Sequence, residues 1–230
     1  MRPPAPAAPP KTAPIPAGQR TARLAVFASG NGSNLQALLD ATATGELAAQ
    51  VGLVVVNHLH AKAIARAQAA RVPVCVLPWS PPPGQLAAAD SRRAWEQQLC
   101  EAVQAAGADL VVLAGWDRLL TGPLLRAYPQ KIINLHPALP GALPGLRAIE
   151  RAHRAFAQGG PAWTGAMVHR VTPEVDAGEV IAFEAIALVA GEPLAELEAR
   201  VHAVEHRLLV RAVALELAAA GGEGPIRQQW

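Results

Sequence analysis

The sequence is short of cysteine, of net charge and of long apolar runs, and each shortage removes a class of protein. Its two cysteines, Cys75 and Cys100, have no metal-ligand spacing. Cys75 sits in an apolar run and Cys100 in a helical pattern, so both are expected as buried free thiols rather than a disulfide. Net charge is +2, and Arg2, Lys11 and Arg20 supply three positive charges from the first twenty residues, leaving the body at 2 − 3 = −1. A near-neutral body argues against a nucleic-acid surface. Although 51% of residues are hydrophobic, charges and prolines interrupt them before the roughly 20 residues that span a bilayer. The first twenty residues carry no apolar h-region. These absences predict a soluble, cytoplasmic chain with neither membrane nor nucleic acid as partner.

What is present is enough for one sizeable core: 230 residues. Residues 1–20 hold seven prolines and five alanines and read as a disordered or polyproline-like tail. A transit peptide is the weaker reading, because the prolines spoil an amphipathic helix. From residue 23 the pattern alternates. Strands are expected at Arg23–Ser29, Val51–Asn57, Pro73–Leu77, Leu110–Ala114 and Lys131–Leu135. Helices are expected at Asn34–Ala43, Ala61–Ala70 and Asp90–Ala106, with a loop at Pro78–Gly84 where Pro81, Pro82 and Pro83 adjoin. Apolar strands between helices predict an α/β fold with a mainly parallel, doubly wound sheet. Such sheets bind ligands at the carboxyl ends of their strands. The last third predicts an antiparallel hairpin, Gly165–Val171 with Glu179–Val189. A long helix follows, opened by Pro193, with Leu194, Leu197, Val201, Val204 and Leu208 as its buried stripe. Residues 221–230 read as a flexible tail.

Four features could carry chemistry. Ser29-Gly30-Asn31-Gly32-Ser33-Asn34 lies between the first strand and the first helix. Glycines let backbone N–H groups approach a ligand, and the helix start favours an anion. A plain capped turn is the equal alternative. A dinucleotide fingerprint fits less well, since Leu35 occupies the third glycine's place. In Asn134-Leu135-His136-Pro137, period two puts the amide and the imidazole on one side of a strand end. Together they can bind a developing oxyanion and move a proton; a merely polar strand end is the bland reading. Asp176 would raise the pKa of His136 if the two met, but Asp before Ala-Gly also suits a turn. His169 is either functional or a hydrogen-bonded core histidine. His202 and Glu205 share one helix surface three residues apart; from the residues alone an exposed pair of little energetic weight is favoured over a ligand site.

The strings LAVFASGNGSNLQALLDA (24–41), LVVLAGWDRLL (110–120), INLHPALPG (133–141), TGAMVHRVTPEVDAGEVIA (164–182) and VHAVEH (201–206), in that order, make the chain resemble the folate-dependent phosphoribosylglycinamide formyltransferase family. The resemblance covers about residues 23–215. It implies a Rossmann-like formyltransferase domain over 21–220. It also implies transfer of a formyl group from the cosubstrate 10-formyltetrahydrofolate to the amine of 5-phosphoribosylglycinamide, without a metal. Residue by residue, Asn134, His136 and Asp176 match the catalytic trio. Gly32, Ser33 and Asn34 match the substrate-phosphate loop, and Glu205 with His202 match positions near the glycinamide end. Arg92, Asp117, Arg118, Leu119, Leu120 and Asn134 match folate-contacting positions, with Gly145 and the hairpin loop as walls. Three departures stand out: Asp117 replaces a usual apolar residue, Ala138-Leu139-Pro140-Gly141 replaces the usual Ser-Leu-Leu-Pro, and the Pro78–Pro83 run alters the connection before Arg92.

The implied mechanism has Asn134 and a protonated His136 stabilising a tetrahedral oxyanion. Asp176 would keep the imidazole charged. Rival readings are a methionyl-tRNA formyltransferase-like enzyme, a formyltetrahydrofolate hydrolase, a dinucleotide-binding oxidoreductase and a non-catalytic binding module. The chain's end at Trp230 and its neutral body disfavour the tRNA enzyme. Monomer and homodimer stay open.

Overall fold

The computed structural model describes residues 20–79 and 89–220. The expected tails, apart from Arg20, and the proline run from Ser80 onward lie outside the described residues. One seven-stranded sheet organises the rest, in the order β3-β2-β1-β4-β5-β6-β7. The five strands β1 (Ala22–Ala28), β2 (Ala49–Val56), β3 (Val74–Val76), β4 (Leu110–Leu113) and β5 (Ile132–His136) run parallel. β6 (Trp163–Arg170) and β7 (Val180–Ala187) extend the sheet antiparallel. The expected strands thus recur with shifts of one or two residues at their ends.

β1 is central and its alternation divides the core. Leu24, Val26 and Ala28 face one layer with α1 (Ser33–Thr44) and α6 (Leu194–Ala220). Ala25 and Phe27 face the other, with Trp95, Leu99 and Val103 of α3 (Ala89–Ala105). All five β1 side chains are fully buried, which stabilises each large one by about 1.5–3 kcal/mol. Covering both faces explains why the strand reads as an unbroken apolar run. The stripe of α6 is buried as expected at Leu197, Val201, Val204 and Leu208. Cys75 and Cys100 are free, Cys100 buried and Cys75 half-buried, and burial pushes both thiols up.

Helix α2 (Lys62–Ala69) lies beside α1. Two short helices escape the periodicity argument: α4 (Pro123–Ala127) and α5 (Ala148–Ala157). α4 spans only five residues, too few for a repeat to register. α5 buries Ala148, Ile149 and Ala152, so Ile149 is its one large buried side chain and no repeat of large apolar residues marks it. Among the described residues no helix is long and apolar enough to cross a membrane.

Candidate active site

The parallel strands end together. Phe27 pairs with Leu113, and Leu113 with Asn134, so the loops after β1, β4 and β5 leave one sheet edge, with the reversal of strand order between β1 and β4. Beyond that edge opens a cleft of about 610 Å³. Its walls are the segment Leu113–Leu120, the β5 end with Asn134 and His136, Gly145–Arg147, and the hairpin loop Val171–Asp176.

His136 is 4% exposed at the last position of β5. Its Nε2 donates to the Leu143 carbonyl at 3.0 Å, which leaves Nδ1 facing Asp176 Oδ2 at 3.5 Å. Asp176 also accepts the Gly145 N–H at 2.8 Å and an Asn134 amide N–H at 3.3 Å. His169 completes the cluster. It lies opposite Asn134 across the β5–β6 ladder, with Nε2 3.2 Å from Asn134 Nδ2 and 3.4 Å from Asp176 Oδ1. Its Nδ1 donates to the Arg170 carbonyl at 2.9 Å. The sequence had left His169 undecided and Asp176 unplaced; the register of β6 joins both to Asn134 and His136.

The electrostatics correct one expectation. Burial pushes the His136 pKa down and outweighs the upward pull of Asp176 and the Leu143 hydrogen bond. The resting imidazole is therefore neutral, not charged, at neutral pH. Burial also opposes the Asp176 charge, but hydrogen bonds from His169 and the Gly145 N–H, with both imidazoles nearby, bring its pKa to about 2. Strain concentrates here too. Leu143 (φ 48°), Arg147 (φ 55°) and Asp176 (φ 51°) are left-handed non-glycine residues, each costing on the order of 1 kcal/mol. The Ala138–Gly141 departure leads into the turn that delivers the Leu143 carbonyl, with Ala142 N–H donating to the Leu139 carbonyl at 3.0 Å.

The glycine loop enters α1 as expected. Gly32 is the N-cap at φ 74°, with no side-chain cap, and a Cβ there would meet Ala63 Cα at 2.9 Å. Glycine is thus required by both conformation and space. Asn34 is buried and donates to Glu205 Oε2 at 3.2 Å. Glu205 is 4% exposed and holds His202 Nδ1 at 2.7 Å, a contact that raises the His202 pKa. The expected exposed pair holds for His202, which is exposed, but not for Glu205: α6 packs on α1 and buries its carboxylate.

Asp117, Arg118, Leu119 and Leu120 line the cleft. The Asp117 carboxylate is occupied, however. It accepts from Ser29 Oγ at 3.0 Å and Asn57 Nδ2 at 2.6 Å, and meets His58 Nε2 at 2.8 Å. Burial opposes its charge, yet the bonds from His58, Asn57 and Ser29 hold its pKa below the usual range. Arg92 is not on the cleft wall. It reaches the Leu119 carbonyl and Glu96 from α3. Glu96, which the sequence reading missed, is fully buried and accepts from Thr121 N–H, Thr121 Oγ1 and Gly122 N–H at 2.7–3.1 Å. Its i, i+4 step from Arg92 was the one available signal.

The geometry can hold an anion at α1, accept a proton at His136 and enclose a flat, partly apolar ligand. A formyl transferase family model matches residues 22–213. The chain is 38% identical over 197 residues to the phosphoribosylglycinamide formyltransferase of Schizosaccharomyces pombe, covering 84% of this chain and 95% of that one. With the enzyme of the same name from Bacillus subtilis it shares 36% over 185 residues, 80% and 89% of the two chains. The crystal structure of glycinamide ribonucleotide transformylase 1 from Geobacillus kaustophilus superposes with a TM-score of 0.75 at 40% identity, over 86% of this chain and 100% of that one. The chain belongs to the formyl transferase family, alongside the phosphoribosylglycinamide formyltransferases.

Proposed function

We propose that this enzyme transfers the formyl group of 10-formyltetrahydrofolate to the amine of 5-phosphoribosylglycinamide, a cytoplasmic step of purine biosynthesis. The observation that carries the reading is the buried His136, bridged through Asp176 to Asn134 at the mouth of the cleft. Gly32, Ser33 and Asn34 receive the substrate phosphate at the N-terminus of α1. Glu205, anchored to Asn34, faces the glycinamide ribose end with His202. The reduced folate lies against Leu119, Leu120 and Val171, whose apolar surface suits a flat ring, and supplies the electrophilic formyl carbon.

The neutral amine attacks that carbon and creates an oxyanion. Because His136 rests neutral, it first accepts the amine's proton. The imidazolium so formed is stabilised by Asp176 at Nδ1, and its Nε2–H, turned from the Leu143 carbonyl to the substrate, holds the oxyanion with an Asn134 N–H. The Nε2 proton then passes to the departing folate nitrogen, leaving His136 neutral again. This order differs from one that starts with a charged imidazole. No covalent enzyme intermediate enters it.

Formyl transfer between the two substrates, with NAD(P)H binding as control, tests the reading. His136→Ala should lower kcat by about 100-fold or more while KM for the phosphorylated substrate stays within a few-fold. Near-normal turnover in that variant would remove His136 from the chemistry. NAD(P)H binding without formyl transfer would replace the function altogether.

A further inference from the structure

We infer that Arg66, on α2, is a positioning residue that shapes the loop at Gly30–Gly32 and thereby sets affinity for the substrate phosphate. The inference rests on the reading of that loop as the phosphate site. Three contacts carry it. The Arg66 guanidinium donates from Nε to the Asn31 carbonyl and from NH2 to Asn31 Oδ1, both at 2.9 Å. Its NH1 donates to Gln36 Oε1 on α1 at 3.2 Å. One forked side chain therefore grips the loop on its main chain and side chain and ties it to the helix whose N-terminus would hold the anion.

The fit is close on the same side. A Cβ on Gly32 would meet Arg66 Cδ at 3.3 Å, behind the nearer Ala63 contact. Ala63 N–H donates to the Gly30 carbonyl at 3.2 Å. α2 is thus the mould of the loop, and Glu205 anchors its far end through Asn34. The charge of Arg66 also reaches α6. Burial is the main cause that keeps the His206 imidazole below its ordinary pKa, and Arg66 adds to it. Arg66 is half-buried, so its field at the α1 N-terminus is incompletely screened.

The test compares two acceptors, 5-phosphoribosylglycinamide and its dephosphorylated riboside, in the full chain. In Arg66→Gln, KM for the phosphorylated acceptor should rise about tenfold, the loss of one good charge-assisted anchor. KM for the riboside and for the folate, and kcat, should change less than about twofold. Arg66→Lys, which keeps the charge but not the fork, should recover part of the loss. Melting of each variant near the parent temperature separates loop positioning from unfolding. An equal rise in KM for both acceptors, or no rise for either, overturns the role. A parent enzyme that does not distinguish the two acceptors also overturns it, and takes the phosphate reading of the loop with it; a parent that does distinguish them, unaffected by Arg66→Gln, removes Arg66 alone.

Discussion

At the scale of single residues, His136 and Asp176 make a directional pair. The imidazole is depressed below the free value of 6.5 by burial, while Asp176 pulls the other way. The base form therefore dominates at neutral pH, and kcat/KM should fall on the acid side with an apparent pKa below 6.5. Asp176→Asn removes the upward pull, so the acid limb should move to still lower pH while kcat drops. A pH profile of kcat/KM for both proteins checks this; a limb that moves upward would mean that Asp176 does not favour the imidazolium. The pairing of Asn134 and His136 was legible in sequence because period two is a property of any strand. The join to Asp176 and His169 was not, since it depends on which β6 residue faces Asn134. Asp117 shows the same limit. The family resemblance put it at a folate-contacting position and it lines the cleft, but its carboxylate binds Ser29, Asn57 and His58 from two other strand ends.

At the scale of elements, the strands were readable because burial on both faces makes them apolar throughout. α4 and α5 were not, being too short or too poor in large apolar residues. α4 has no side-chain cap of its own. Glu96 on α3 substitutes by accepting the Gly122 N–H at 2.8 Å, just after the cleft-lining Leu119 and Leu120. Glu96→Ala removes the buried carboxylate shared by the Thr121 and Gly122 N–H groups and by Arg92. It should cost about 3 kcal/mol, lowering Tm by about 6–12 °C, and should raise KM for the folate more than for the phosphorylated acceptor. Calorimetry with steady-state kinetics measures both; an unchanged Tm would mean the donors find other partners.

At the scale of the whole molecule, both titrating site residues couple the fold to pH with one sign. Asp176 falls from 3.8 to about 2 on folding, which contributes about 2 kcal/mol of stability above pH 4. That share is lost as pH falls from about 4 to about 2, where the carboxylate protonates in the folded state. His136 acts earlier: below 6.5 the unfolded chain takes up a proton that the folded chain resists, so stability already declines there. Acid unfolding followed by circular dichroism should show a steeper loss below pH 4 in the parent than in Asp176→Asn. Equal slopes would remove Asp176 from the linkage.

By itself the sequence determined the layered α/β class, the long final helix and the loop at Gly32. Those follow from the spacing of apolar residues and from glycine's freedom at positive φ, which are local properties of the chain. Only the tertiary structure decided that α2 and α6 grip that loop from two sides and that Glu205 is buried. It likewise decided that His136 rests neutral. These depend on strand order, register and the depth of burial, set by packing between residues far apart in sequence.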